Sequence, residues 1–254
     1  NFMDQTPFDG CDNLTIYCPE GSYAAEYAQT HGIRYVIDNT RKAVARPAKK
    51  THHAATPMAT TRETAPAKTA VAATPAITCT KVKKSECTID EFGVFERYNG
   101  LDDEIILPSG IEEIGSDAFS FNKTLRIVVI PEGVREIGND AFWGCEALEQ
   151  VFLPSTLEKI EYNAFRNCES LTEIIIPDGV WSIGMDAFTG CKKLKDIYVP
   201  SSVISVEMDA FYNCTGLKNI TMPNSLKEIG YSSFYGCTSL TSMTIPNGVT
   251  TIDV

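Results

Sequence analysis

Residues 171–193 read LTEIIIPDGVWSIGMDAFTGCKK, and the same pattern, with substitutions, recurs on both sides of it. Pro108, Pro131, Pro154, Pro177, Pro200, Pro223 and Pro246 follow one another at intervals of 23 residues without a slip. A strict period of this size marks a chain built from stacked units, none of which can bury its own apolar face alone. Three residues before each proline stand Ile105, Val128, Val151, Ile174, Ile197, Ile220 and Met243. Immediately before it stand Leu107, Ile130, Leu153, Ile176, Val199, Met222 and Ile245. Two apolar columns two residues apart describe a strand with one inward face. Proline ends that strand because it has no N–H for the ladder.

Beyond the proline comes a second apolar pair, such as Val180 with Ile183, and then Ala187-Phe188. The phenylalanine column, Phe119, Phe142, Phe165, Phe188, Phe211 and Phe234, can fill an interior only if successive coils lie one upon the next. The motif Leu171-x-x-Ile174-x-Ile176-Pro177-x-x-Val180-x-x-Ile183-Gly184-x-x-Ala187-Phe188-x-x-Cys191 resembles the BspA-like leucine-rich repeat of bacterial surface proteins and of some parasitic protists. The match is dense over residues 102–252, with departures at Asn122 (for cysteine), Glu161 and Glu207 (for glycine) and Ser233 (for alanine). The resemblance implies secreted or cell-surface proteins that bind host or neighbouring-cell macromolecules and are not enzymes. The expected fold is therefore a β-rich, α+β solenoid, a leucine-rich-repeat right-handed superhelix with a capping helix and a capping hairpin.

Four segments follow. Residues 1–37 read as the C-terminal end and cap of a first array, because Met3, Phe8, Cys11 and Leu14 fit the Ile, Phe, Cys and Leu columns. A short helix then runs from the N-cap Ser22 to the stop Gly32, and Ile33, Tyr35 and Ile37 alternate like a last strand. Many BspA-like arrays end in this helix-plus-strand way. Residues 38–78 are rich in Thr, Ala, Pro and Lys and read as a disordered linker. Residues 79–101 read as a hairpin that caps the N-terminal rung by covering Ile105, Leu107 and Phe119. Residues 102–254 form the second array, which stops inside a repeat at Ile252, so further chain is expected on both sides.

The formal charge of −11 is segregated. Residues 1–40 carry one Lys/Arg against six Asp/Glu, residues 41–84 ten against one, and residues 85–254 eleven against twenty-six. An acidic array argues against nucleic acid, since phosphate contacts need a basic face. No run of eighteen apolar residues occurs, so no helical membrane span is expected in this segment. Cys145, Cys168, Cys191, Cys214 and Cys237 form a column and read as buried free thiols that pack as small hydrophobes. Cys11 with Cys18, and Cys79 with Cys87, are the candidate disulfides.

The histidines, His31, His52 and His53, all fall outside the array. The spacings of zinc sites, nucleophile elbows, P-loops and dinucleotide folds do not occur. The chain is read as non-enzymatic, with no cofactor and no metal. What remains is surface. The strand position two before proline must point outward, and there stand Ile106, Val129, Phe152, Ile175, Tyr198, Thr221 and Thr244. Beside it run Ile127, Gln150, Glu173, Asp196, Asn219 and Ser242.

These two columns predict a concave sheet with an apolar spine and an acidic flank. Val129, Phe152, Ile175, Tyr198, Glu173 and Asp196 are the partner-binding candidates. The competing reading is that outward β-branched and aromatic residues serve only strand formation. Trp181 and Trp143, at turns on other faces, are secondary candidates. The favoured function is extracellular or cell-surface recognition and adhesion, toward a host or neighbouring-cell surface or matrix protein or a glycan. The alternative is a structural spacer or accessory module of a larger surface protein.

Overall fold

The computed structural model describes residues 6–39 and 79–253. Met3, His52, His53 and nearly all of the stretch read as a linker lie outside these residues. Each repeat contributes two short strands. One series comprises Glu104–Ile106, Ile127–Val129, Gln150–Phe152, Glu173–Ile174, Asp196–Tyr198, Asn219–Thr221 and Ser242–Thr244. The other comprises Glu113–Ile114, Glu136–Ile137, Lys159–Ile160, Ser182–Ile183, Ser205–Val206, Glu228–Ile229 and Thr251–Ile252. Both series pair in parallel with a register offset of one repeat, so like residue meets like: Ile105, Val128, Val151 and Ile174 in the first, Ile114, Ile137, Ile160 and Ile183 in the second. The first ladder is interrupted between Glu173–Ile174 and Asp196–Tyr198 and again before Ser242–Thr244, although these strands stay neighbours.

Proline has a double role in the coils from Pro154 to Pro246. It ends the strand, and its carbonyl then accepts from the apolar residue three positions on, as in Val180 N–H to Pro177 O at 3.1 Å and Val203 N–H to Pro200 O at 3.1 Å. That closes a turn which sends the chain into the second strand.

Between the sheets lies the phenylalanine column. From Phe95 through Phe119, Phe142, Phe165, Phe188, Phe211 and Phe234 to Phe8, ring centroids are 4.8–5.9 Å apart and ring planes within 1–8°. The separation slightly exceeds the strand spacing of about 4.8 Å, so the rings lie offset, as aromatic quadrupoles prefer. The cysteine column runs alongside. Each thiol donates to the phenylalanine carbonyl one rung back: Cys145 to Phe119, Cys168 to Phe142, Cys191 to Phe165, Cys214 to Phe188 and Cys237 to Phe211, at 3.0–3.2 Å. Burial pushes the Cys145 thiol up to about 12 and Cys168 well above the usual thiol range, so these groups stay protonated donors. Where asparagine replaces cysteine, Asn122 Oδ1 instead accepts from the Thr124 and Leu125 amides at 3.0 and 2.9 Å.

All nine cysteines are free, including both candidate disulfide pairs. Cys11 serves in the column and donates to Phe234 O at 3.1 Å, while Cys18 is buried at the end of the following strand. Cys87 donates to Lys83 O at 3.6 Å.

The two ends are closed differently. In chain order the closing elements are β1 (Thr15–Cys18), α1 (Tyr23–Thr30), β2 (Arg34–Ile37), β3 (Thr80–Lys81), β4 (Cys87–Ile89) and β5 (Val94–Tyr98). At the N-terminal end of the array, β4 and β5 form the expected antiparallel hairpin, and β3 adds to the first sheet. Phe95 stacks on Phe119, Tyr98 lies against the same ring, and Ile105, Leu107 and Phe119 are all buried.

At the other end, residues 6–38 form the expected strand, helix and strand and pack on the Ser242–Thr244 rung of the stack built by residues 79–253. Strand β1 pairs in parallel with Ser242–Thr244, and β2 follows β1. The physical reason is register. Phe8, Cys11 and Leu14 carry the columns of Phe234, Cys237 and Leu240, so the segment presents the face that the last rung needs. Helix α1 begins at Ser22, whose Oγ accepts from the Ala25 amide at 3.3 Å, and ends before Gly32 at φ +67°. Its Tyr27 closes the column, meeting Phe8 edge-on at 6.1 Å.

A further column takes the left-handed backbone. Asp117, Asp140, Asn163, Asp186, Asp209 and Ser232 all have φ between 49° and 59°, a region in which short polar side chains are tolerated. Asn163 Nδ2 donates to Asp140 Oδ1 at 2.9 Å, and Arg166 donates to Asn163 Oδ1 at 3.2 Å and Asp186 Oδ1 at 2.7 Å. Burial, then the neighbouring Asp186, push the Asp209 carboxyl up from 3.8 to about 6, with Arg166 opposing.

Two outcomes are expected. Phe165→Ala removes a fully buried ring from mid-column and should cost about 3–5 kcal/mol in urea titration. A cost under about 1 kcal/mol would mean the ring is not core. The folded chain holds the Asp209 proton more tightly than the unfolded chain, so the stability it contributes is present below pH 3.8 and lost as pH rises through about 6. Thermal melts of Asp209→Asn should therefore gain on the parent protein across that window and run parallel above it.

Candidate functional site

The first strand series buries its middle residue and turns the flanking ones outward, and the pairing brings each set into a line. Ile106 lies beside Val129, Val129 beside Phe152, and Tyr198 beside Thr221. Ile175 stands next to Ile174 and is 58% exposed, the most exposed of the spine. Val129, Phe152 and Tyr198 are half-buried. The alternation that buries Val151, Ile174 and Ile197 forces this outward row. The sequence reading missed its continuation. Through β1 and β2 the row passes from Thr244 to Tyr17 and then Val36, which is 42% exposed. The signal was present, since Tyr17 follows the inward Ile16 as Tyr198 follows Ile197, but placing Tyr17 on this sheet required the docked cap.

The flank is acidic where expected. Glu173 and Asp196 are exposed, and Asp196 Oδ1 accepts from Asn219 Nδ2 at 2.6 Å. Ile127 departs from the expected open column: it is 8% exposed, lying between Glu104 and Gln150 of the adjacent strands. Next to the strand starts, Arg126 gathers Glu149 at 3.2 Å, Glu104 at 3.3 Å and Asp103 at 3.6 Å. These acids hold the Arg126 guanidinium firmly protonated, with Glu149 contributing most. The array's negative charge is thus partly paired at the hairpin-capped end and carried by Glu173 and Asp196 further along.

Trp181 is not part of this row. It is 51% exposed at the entry to Ser182–Ile183, with Lys159 Nζ 5.5 Å from its ring centroid. The same lysine contacts Glu136 at 3.0 Å and Glu161 at 3.6 Å, so Trp181 caps a charged cluster on the second sheet. Trp143 packs on Phe121 at 4.6 Å on the turns, where Tyr212 and Tyr235 also stack at 4.8 Å. Side chains of Tyr162, Met185 and Met208 are exposed in the adjoining column. The structure therefore brings Val129, Phe152, Ile175, Tyr198, Glu173 and Asp196 onto one face and leaves Trp181 on another.

Comparison with known proteins agrees with this architecture. A family model described as the BspA type leucine-rich repeat region matches residues 88–185 and 158–254, in six copies. Among solved structures, a leucine-rich cell surface protein of Faecalibacterium prausnitzii is 33% identical with a TM-score of 0.61, over 66% of this chain and 48% of that one. A leucine-rich repeat protein of Bacteroides ovatus is 26% identical with a TM-score of 0.55, over 66% and 54%. The T. pallidum leucine-rich repeat protein TpLRR is 26% identical with a TM-score of 0.52, over 63% and 91%. The chain thus spans about half the length of the Faecalibacterium and Bacteroides proteins. No curated protein matches it. With six copies of the repeat over residues 88–254, the chain belongs to the BspA-type leucine-rich-repeat family.

Proposed function

We propose that this protein is a non-enzymatic recognition module that works at the cell surface or outside the cell, binding a surface or matrix protein, or a glycan, of a host or neighbouring cell. The observation that carries this reading is the continuous outward row from Ile106 to Val36, with Ile175 exposed and Glu173 and Asp196 beside it. The row is apolar from Ile106 to Tyr198, polar at Thr221 and Thr244, and apolar again at Tyr17 and Val36 on the capping strands. The 33% identity to a protein described as a cell surface protein supports the location. A repeated surface binds through many modest contacts, so affinity grows with the number of rungs engaged rather than with the depth of one cavity.

The test replaces Phe152, Ile175 and Tyr198 together by serine in the full chain and measures binding to immobilised matrix proteins, a glycan panel and whole cells. Affinity for the bound partner is expected to fall at least tenfold, or about 1.4 kcal/mol, while the thermal transition stays cooperative. Unchanged binding by a folded triple variant would move the contact off this face. Absence of binding by the parent protein to every class of partner would favour a structural spacer within a larger surface protein.

A further inference from the structure

We infer that the second sheet carries a dimer surface, on which two copies of this chain meet face to face with their stacks antiparallel and Trp181 and Ile204 at the centre. This surface is separate from the recognition face, which lies on the first sheet.

One outward column changes residue type at two rungs. The residue just before each strand of the second series is Glu112, Arg135 and Glu158 toward the hairpin and Lys227 beyond, with Trp181 and Ile204 between them. Ile204 is 59% exposed and Trp181 51%, so neither fills the interior. The next column changes at the same rungs: Lys159 and Glu228 flank Ser182 and Ser205, whose small side chains let a facing surface approach. In the column two residues past each strand, Met185 and Met208 are exposed, with Tyr162 before them and Tyr231 after. The second ladder is interrupted between Ser182–Ile183 and Ser205–Val206, yet the two rungs stay adjacent. Asp186 N–H donates to Met208 O at 3.0 Å and Phe188 N–H to Ala210 O at 2.9 Å. An exposed apolar centre inside a charged rim is the anatomy of a protein–protein contact.

The order of residues along these columns selects the partner. Up the stack they run Glu158-Trp181-Ile204-Lys227, Lys159-Ser182-Ser205-Glu228 and Tyr162-Met185-Met208-Tyr231. Each reads the same in kind from either end, except that the terminal charges exchange sign. A two-fold axis parallel to the strands, passing between the rungs of Pro177 and Pro200, reverses the order of rungs and keeps the columns in place. It sets Trp181 against Ile204 of the second copy, Glu158 against Lys227 and Lys159 against Glu228, each contact occurring twice. Met185 and Met208 fall at the edge of the same contact. With the stacks parallel and the first column laid on itself, Glu158 would meet Glu158 and Lys227 would meet Lys227, like charge on like. Lys227 and Glu228 are exposed and form no ion pair among the described residues. Glu158 is held by Arg135 at 2.5 Å and Lys159 by Glu136 at 3.0 Å, in solvent-facing pairs that a facing charge can join at small cost.

The contact runs over four rungs, about 14 Å along the stack. It buries on the order of 1,000 Å² in all, the low end for a specific contact, so the dimer is weak and dissociates on dilution. Pairing in this way leaves both first-sheet faces uncovered.

Sedimentation equilibrium of the full chain from about 1 µM to about 1 mM is the test, with an expected dissociation constant on the order of 100 µM. Trp181→Ser and Ile204→Ser should each weaken dimerisation at least tenfold with the thermal transition unchanged, since both side chains are exposed. Charge reads the register. Glu158→Lys alone and Lys227→Glu alone each put like charges together at both ends of their own dimer and should associate at least tenfold more weakly than the parent. Mixed in equal amounts, these two variants oppose unlike charges at both ends, and a mixed dimer of parental affinity is expected. The triple serine variant of Phe152, Ile175 and Tyr198 should dimerise as the parent does. A parent chain that stays monomeric to about 1 mM would overturn the proposal and leave the Trp181 patch to a different protein. So would a dimer indifferent to both serine variants, a dimer lost in the first-sheet triple variant, or failure of the mixed charge variants to recover association.

Discussion

Identical coils must lie in register, and every other feature of this protein follows from that constraint. A rung of 23 residues has two strands only two to three residues long, far too short to hold together alone. Stacking supplies what the single rung lacks: parallel hydrogen bonds above and below each strand, a ring above and below each phenylalanine, and a carbonyl for each thiol. Because every column must match its neighbours, one substitution is felt by three rungs at once. Where the column departs from cysteine, Asn122 trades the bond to the neighbouring rung for local ones to the amides of Thr124 and Leu125.

The cysteines show how the same constraint selects chemistry. A thiol is small enough for the interior and still supplies a weak donor, and the phenylalanine carbonyl of the preceding rung lies 3.0–3.2 Å away along the array. Burial keeps each thiol protonated, so the column is held by hydrogen bonding and packing rather than by redox chemistry. Equivalent side chains point the same way on successive rungs, which suits a ladder and does not suit a cross-link.

Surface function follows from the ends and the outer face of the stack. The outward row is the by-product of strand alternation, yet Phe152, Ile175 and Tyr198 make it apolar beyond what alternation demands. At the hairpin-capped end the charges are gathered by Arg126, whereas Glu173 and Asp196 stand exposed further along. The helix-capped end carries the row onto β1 and β2, so the cap both seals the interior and lengthens the face.

The amino-acid sequence by itself determined the solenoid, its period, its inward and outward columns, and the helix and hairpin that close its ends. Those properties are local or repeat at a fixed interval, and alternation, turn chemistry and capping read directly from spacing. The sequence also placed Val129, Phe152, Ile175 and Tyr198 outward, because two inward columns leave the residue between them no other direction. Only the tertiary structure decided which rung the 6–38 segment closes, that Tyr17 and Val36 join the spine, that Ile127 is covered, and that Trp181 lies on a different face. Each of these depends on which surfaces meet across long stretches of chain. A segment bearing the repeat's columns fits any open rung of matching register, so linear order cannot say which one it will cover.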